Sequence, residues 1–305
     1  MSTRLFYPAG LKSNATYIHS CRSQSLDRML EELTEFASGD WAPSFTGSKS
    51  GAPEFQIEAT DIQAVLGLMT DEELTADLSA TNVDLFFRQA KPHALRYDEG
   101  DAEHMVYRLT SNAMAYWTQI QANQNDESRI SLTVCAMDNG SNAPLIQTPS
   151  QTIDVAGLIA NLWTLGPIEI NGSAVPGVQS MTWTNNLEIE KVSESGSEYP
   201  TLLVARQARP VVRIEGLDLE ELDSIVTEIE GEELTELVVY LRKRRQSRIN
   251  FGDADTVHLK FTATKGTAKI LQTQGERGTD SIEIHLQRPS AGGALFTVAT
   301  GQAIV

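Results

Sequence analysis

The 305-residue chain has little of what catalysis and metal binding usually require. Its two cysteines, Cys21 and Cys135, cannot supply a disulfide framework or a four-cysteine zinc site. Each falls in a segment that reads as a strand, so two reduced, mostly buried thiols are expected. Five histidines, His19, His93, His104, His258 and His285, show neither H-x-x-x-H nor H-E-x-x-H spacing and have no C-x-x-C neighbour. His19 and Cys21 could share a strand face as base and thiol, but no oxyanion loop and no third orienting residue accompany them. Neither G-x-x-x-x-G-K-[ST] nor G-x-G-x-x-G occurs, and Gly47-Ser48-Lys49-Ser50-Gly51 is only a flexible polar stretch. The chain therefore reads as no enzyme, with no catalytic residues, no metal and no cofactor.

Two further absences bear on location and partners. No run approaches the roughly 18 apolar residues of a membrane span, and Met1 to Pro8 lacks a signal-peptide core. No membrane partner is expected, and synthesis or assembly in the cytoplasm is. Lys and Arg number 24 against 41 Asp and Glu, a net charge of -17, so the basic face that grips a phosphate backbone is lacking. A channel with acidic walls would still pass DNA, because it repels phosphates and lets a duplex slide. At 41% hydrophobic and 21% charged residues the composition is that of an ordinary globular chain of two domains.

What is present is a repeat. Phe86-Phe87-Arg88, Arg96, Gly100-Asp101-Ala102 and Ile130 to Val134 are answered 152 positions later by Val238-Val239-Tyr240, Arg248, Gly252-Asp253-Ala254 and Ile282 to Leu286. Upstream the offset is 157, pairing Ser38-Gly39, Pro43, Pro53, Ile57-Glu58 and Asp61-Ile62 with Ser195-Gly196, Pro200, Pro210, Ile214-Glu215 and Asp218-Leu219. A five-residue length difference is therefore expected between about residues 63 and 85. The period, about 150 residues, far exceeds that of solenoids, so each copy can hold its own core. The reading is two tandem homologous domains, 1–157 and 158–305.

Most of each copy alternates with period two. In the second, strands are expected at 168–170, 180–192, 202–205, 211–215, 234–241, 256–264, 268–272, 281–287 and 295–300. Asn171-Gly172 is the strongest hairpin signal, since both residues tolerate positive φ. One helix per copy is expected, at Leu217 to Val226 behind Asp218, Glu220 and Glu221, and at Ile62 to Leu68. Ser25 to Phe36 has helical spacing although its counterpart, Leu187 to Val192, alternates like a strand; a helix is expected there. Leu158 to Trp163, in the Gly157–Gly166 join, reads as a buried strap that couples the domains rigidly. The fold class is thus mainly β: two tandem β-sandwiches or flattened barrels, each with one flanking helix. Gly100-Asp101-Ala102-Glu103 and Gly252-Asp253-Ala254-Asp255 read as turn chemistry, not calcium loops, because further oxygen ligands are missing.

Charge is uneven between the copies. From Glu215 to Glu236 ten acids occur without a Lys or Arg, Glu220, Glu221, Glu232 and Glu233 among them. Arg242, Lys243, Arg244, Arg245 and Arg248 follow at once. Opposite blocks in one chain suit a head-to-tail contact between identical subunits, and these nine residues are the candidate inter-subunit contacts; two solvated surface runs would read the same way.

The strand, turn and long strand pair that begin at Ile168-Glu169-Ile170-Asn171-Gly172-Ser173 and run through Val175-Pro176-Gly177 to Met181 resemble the tail tube proteins of long-tailed phages and the related hemolysin-coregulated tube of type VI secretion. The resemblance covers the second copy from about Pro167 onward and reaches the first through the repeat. It implies a small sandwich with a flanking helix, six positions per ring, strands lining a channel, and a hairpin that docks onto the next ring, at Leu187 to Pro200 and Leu26 to Pro43. Duplication makes three chains the natural count. The implied function is a structural subunit of a phage tail tube, self-assembling into stacked, trimeric, pseudo-hexameric rings. Implied partners are itself and the terminator, tape measure and tail-tip proteins, with DNA passing transiently, in a virion tail. A tail-tip or baseplate ring or adaptor is the near alternative. A double sandwich that binds carbohydrate or protein, with Trp41, Trp117, Trp163 and Trp183 as stacking surfaces, is the alternative of another class.

Overall fold

The alternating segments become strands almost throughout. A computed structural model describes residues 5–304 apart from 15, 19–20, 28–29, 36–40, 43–44, 71–73, 79–80, 92–96, 111, 139, 141–142, 154–160, 195–198, 217–225, 227–230, 246–248, 272–279 and 291–292. The first half contains β1 (Phe6–Ser13), β2 (Thr16–Ile18), β3 (Cys21–Asp27), β4 (Leu30–Glu35), β5 (Phe45–Ser50) and β6 (Glu54–Ala59). Then come α1 (Ile62–Leu66), β7 (Thr75–Asp77), β8 (Val83–Gln89), β9 (His104–Leu109), β10 (Ala113–Asn123), β11 (Arg129–Ala136) and β12 (Leu145–Gln151). The second half holds β13 (Leu162–Ile170), β14 (Ser173–Ala174), β15 (Val178–Thr184), β16 (Glu188–Val192), β17 (Leu202–Gln207) and β18 (Val211–Gly216). It closes with β19 (Glu232–Leu234), β20 (Leu237–Arg244), β21 (His258–Ala263), β22 (Gly266–Leu271), β23 (Asp280–Leu286) and β24 (Thr297–Gln302).

All pairings are antiparallel. Each half contributes a five-stranded sheet, β12-β9-β8-β1-β2 or β14-β13-β20-β21-β24, and a two-stranded hairpin, β4-β5 or β16-β17. The remaining strands form one ten-stranded sheet that runs through both halves in the order β19-β22-β23-β18-β15-β10-β11-β6-β3, with β7 also on β10. Adding twelve to each strand number turns every pairing of the first half into one of the second. Irregularities recur as well. The register shift between Cys21 and Ser23 returns between Val178 and Ser180, and Asn14 and Asn171 turn with φ of 53° and 51°.

These ladders fix which residues correspond; the upstream offset of 157 holds, and the downstream offset differs from that read in the sequence. Ile57 pairs with Leu132 as Ile214 pairs with Ile282, so the offset is 157 at β6 but 150 at β11. At β8 it is 154, because Val83 faces Leu109 as Leu237 faces Ala263. The expected 152 is off by two residues in both places: three residues of the length difference fall between β6 and β8, near the expected interval, and four more fall between β8 and β11. A slip of two keeps every strand residue on its face, so apolar alternation cannot detect it.

Each sandwich encloses a core by facing its five-stranded sheet with its part of the ten-stranded one. Phe55, Ile57, Leu132, Val134, Ala115 and Trp117 line the inner face of the long sheet in the first half, and Trp183, Val212, Ile214, Ile282 and Ile284 continue it in the second. One buried cluster therefore spans both halves. The Asn171-Gly172 turn forms as expected, Asn171 at φ 51° and Gly172 at φ 78°, and Asn171 Oδ1 accepts from the backbone N–H of Thr235 at 2.8 Å and of Glu236 at 3.2 Å.

Three expectations change. Residues 21–27 and 30–35 are strands, not a helix: β3 pairs with β6 and β4 with β5, and cross-strand partners outweigh helical spacing. Leu162 and Trp163 belong to β13, not a strap, with Trp163 opposite Lys243; residues 154–160 lie outside the described residues. The first-half helix is only five residues long, capped by Asp61, whose side chain accepts from Ala64 N at 3.1 Å. The expected second-half helix falls on 217–225, outside the described residues, apart from Val226. Among the described residues no helix is long and apolar enough to cross a membrane.

Candidate assembly surfaces

One strand pair joins the halves into a single sheet. Gln119 to Asn123 of β10 pair with Thr184 to Ser180 of β15, which makes the long sheet continuous. Beneath that seam lies an aromatic cluster. Trp117 and Trp183 have ring centroids 6.4 Å apart, Phe296 lies 6.0 and 4.8 Å from them, and Phe261 lies 5.5 Å from Trp183. All four rings are at most 1% exposed. Polar ties flank them. Buried Asn185 donates to Trp117 O at 3.1 Å, and Thr164 Oγ1 lies 2.8 Å from the carbonyls of Asn123 and Gln124. Burial of four rings with a shared ladder couples the halves rigidly.

The positions that correspond to this cluster at the far ends of the sheet are less covered. By the ladders, Leu26 matches Trp183, Ile270 matches Trp117, Tyr107 matches Phe261, and Leu145 matches Phe296. All four are only partly buried against the core. Among the described residues β3 has no partner on its outer edge. The opposite edge is β22 beyond its pairing with β19; there Leu271 matches Gln119, and the rest of the matching stretch, 272–275, lies outside the described residues.

The outer face of the long sheet is polar. Gln56 and Glu58, Ser131 and Thr133, Gln119 and Gln121, Thr182 and Thr184, Arg213 and Glu215, and Glu283 and His285 alternate with the core residues. Its charges are matched. Arg129 reaches Glu58 at 3.0 Å, Arg213 reaches Glu215 at 3.5 Å, and Lys269 and His285 reach Glu283 at 2.9 and 2.7 Å. The hydrogen bond from Lys269 and, behind it, the contact with His285 hold the Glu283 carboxyl below its ordinary range. The face is hydroxyl- and amide-rich with compensated ions.

At one end this face is covered by the β16-β17 hairpin of the second half. Leu203 and Ile189 pack on Met114, Tyr116, Cys135 and Met137, and Lys191 pairs with the buried carboxylate of Glu54. Cys135 Sγ donates to Glu54 Oε1 at 3.1 Å, and Tyr116 Oη lies 3.9 Å from the sulfur. Burial, with the Glu54 charge beside it, pushes the Cys135 thiol well up, and burial does the same to the Tyr116 hydroxyl. Burial also raises Cys21 to about 12. Both cysteines are free thiols, and thiols so raised are protonated and unreactive at neutral pH. His19, the proposed companion of Cys21, is outside the described residues.

Among the described residues, the charged candidates lie on two different sheets. Arg242, Lys243 and Arg244 lie on β20 with Arg245 just beyond, whereas Glu232 and Glu233 lie on β19 in the other sheet. Glu220, Glu221 and Arg248 are outside the described residues. The basic run is largely engaged within the chain. Arg242 reaches Asp253 at 2.8 Å, the Lys243 ammonium sits 5.8 Å from the Trp163 ring, and Arg245 stacks 4.7 Å from Phe251. As half-exposed contacts they contribute little each.

The repeated Asp turns have a partner that spacing did not reveal. Asp101 caps Asp98 N and Asp255 caps Gly252 N, both at 2.9 Å. Three residues on, buried His104 and His258 each accept from a strand N–H, of Gln89 or Lys243, and reach a turn carbonyl, of Asp98 or Gly252. Arg88–Glu99 and Arg242–Asp253 complete the unit. The shared offset of 154 was the signal; matching Gly-Asp-Ala to Gly-Asp-Ala hid it. Among the described residues no group of His, Cys, Asp and Glu could hold a metal ion. Three of the four tryptophans are fully buried and cannot stack on a glycan; Trp41 is 95% exposed. No family model matches the chain, and no curated protein matches it.

Proposed function

We propose that the two halves are tandem copies of one domain and that the chain is a structural subunit of a tail-tube-type ring, three chains giving six similar positions around a channel. The observation that carries this is the β10–β15 seam. It joins two equivalent four-strand units edge to edge, and a unit that accepts its copy on one edge presents the complementary edge on the other. Repeating that step between chains pairs β3 of one with the β22 edge of the next and covers Leu26, Ile270, Tyr107 and Leu145. Three repeats of a heterologous contact close a ring; more would extend it. The alternating polar face, with its ions compensated, would then line the opening and pass a DNA duplex without binding it. Apolar Val192, Leu202 and Val204, 38, 50 and 37% exposed on the β16-β17 hairpin, are the side chains that would meet an adjacent ring. The chain would work in a virion tail with other tail proteins as neighbours.

Negative-stain electron microscopy of the purified chain tests this reading. Three-fold rings or stacked tubes are expected, and isolated particles of single-chain size at every concentration would refute it.

A further inference from the structure

We propose that the second-half face formed by Thr267, Lys269, His285 and Gln287 is the seat for the β4-β5 hairpin of a second copy of this chain. The proposal rests on the ring reading and names a contact within the ring that the strand edges alone do not require.

In the first half the matching seat is filled. Ladder positions carry it across residue by residue. Cys135 faces Glu54 as His285 faces Val211, Tyr116 faces Thr133 as Lys269 faces Glu283, and Met114 faces Asp77 as Thr267 faces Glu233. Met137 N bonds Asn112 O as Gln287 N bonds Lys265 O. Where the β16-β17 hairpin covers them these positions are closed, with Cys135 at 0% exposure. In the second half they are open: the His285 side chain is 46% exposed and that of Lys269 38%. A groove of about 330 Å³ runs there past Val211, Glu283 and His285.

The hairpins correspond just as closely. Lys191 pairs with Leu203 as Thr34 pairs with Thr46, and Ile189 pairs with Ala205 as Glu32 pairs with Ser48. Register thus assigns Glu32 to the position that Ile189 holds over methionine, tyrosine and cysteine. Its seat has changed in step, to Thr267, Lys269, His285 and Gln287. Of the β4 acids only Glu32 holds a seat-facing register position, while Lys269 and His285 share one carboxylate, Glu283.

A bismaleimide bridge between Glu32→Cys and Gln287→Cys tests the contact, because these positions match Ile189 and Met137, which pack together within the chain. Cys135 is buried and Cys21 half-buried with its thiol held protonated, and the parent chain treated alike is the control for both. Chain-to-chain ladders on a denaturing gel are expected from the double variant and from neither single one. If light scattering shows normal assembly without a ladder, the seat is refuted and the ring stands. If no assembly and no ladder form while the parent assembles, or if the parent itself stays monomeric, the seat is refuted as well. A ladder without rings would support the seat and refute the ring.

Discussion

Trp183→Ala should uncouple the two halves. The side chain is fully buried and touches Trp117 of the first half and Phe261 and Phe296 of the second, at centroid separations of 6.4, 5.5 and 4.8 Å. Truncating a buried Trp to Ala costs about 3 to 5 kcal/mol through lost transfer energy and residual cavity. Each lost ring pair adds roughly 0.5 to 1.5 kcal/mol. One term opposes: Trp183 Nε1 is buried without a hydrogen-bond partner among the described residues, and removing it returns about 1 to 3 kcal/mol. The net loss is about 5 kcal/mol, or roughly 10 to 20 °C in Tm at 2 to 4 °C per kcal/mol. Trp183→Phe keeps the packing and discards the unpaired N–H, so about 1 kcal/mol or less is expected. Scanning calorimetry measures both. Parent and Phe variant should melt in one transition and the Ala variant in two, because the cluster is the largest buried contact beneath the seam. A single transition shifted by less than about 3 °C in the Ala variant would refute this account of the seam.

The Glu54–Lys191 pair should respond asymmetrically: Lys191→Met strands a buried carboxylate and should cost about 2 to 4 kcal/mol in urea unfolding, whereas Glu54→Gln leaves a lysine that is 33% exposed to reach water and should cost less than half as much. The opposite order would show that the hairpin is held by its apolar residues alone. Both thiols titrate higher folded than unfolded, so their contribution is complete below the unfolded value and lost as pH rises from about 8.5 toward the folded one. Stability should fall by up to about 1.4 kcal/mol per pH unit for each thiol, and Cys21→Ala with Cys135→Ala should flatten that slope; an unchanged slope contradicts the assignment.

Legibility of the fold in the sequence followed what each signal can encode. Alternation encodes faces, and the strands, the Asn171-Gly172 turn and the repeat of the framework are visible there. It encodes register only modulo two, so a shift of two, which sets Asp101 against Asp253 in place of its hydrogen-bonding counterpart Asp255, leaves no trace in it. Leu26, Leu30 and Leu33 satisfy helical spacing, and only the partners supplied by β6 and β5 select a strand. The assembly surfaces were less legible still. Arg242 to Arg245 announce themselves as a run, yet Asp253, Trp163 and Phe251 engage three of them. Glu54 and Lys191, 137 residues apart, carry no sequence pattern, and they latch one half to the other.

The most direct test of the central claim is the mass of the purified chain by multi-angle light scattering as concentration rises. Three chains per ring predict a species of about 100 kDa, three times the 33.4 kDa chain, and multiples of it as rings stack. A mass that stays at 33.4 kDa into the high-micromolar range would contradict the account.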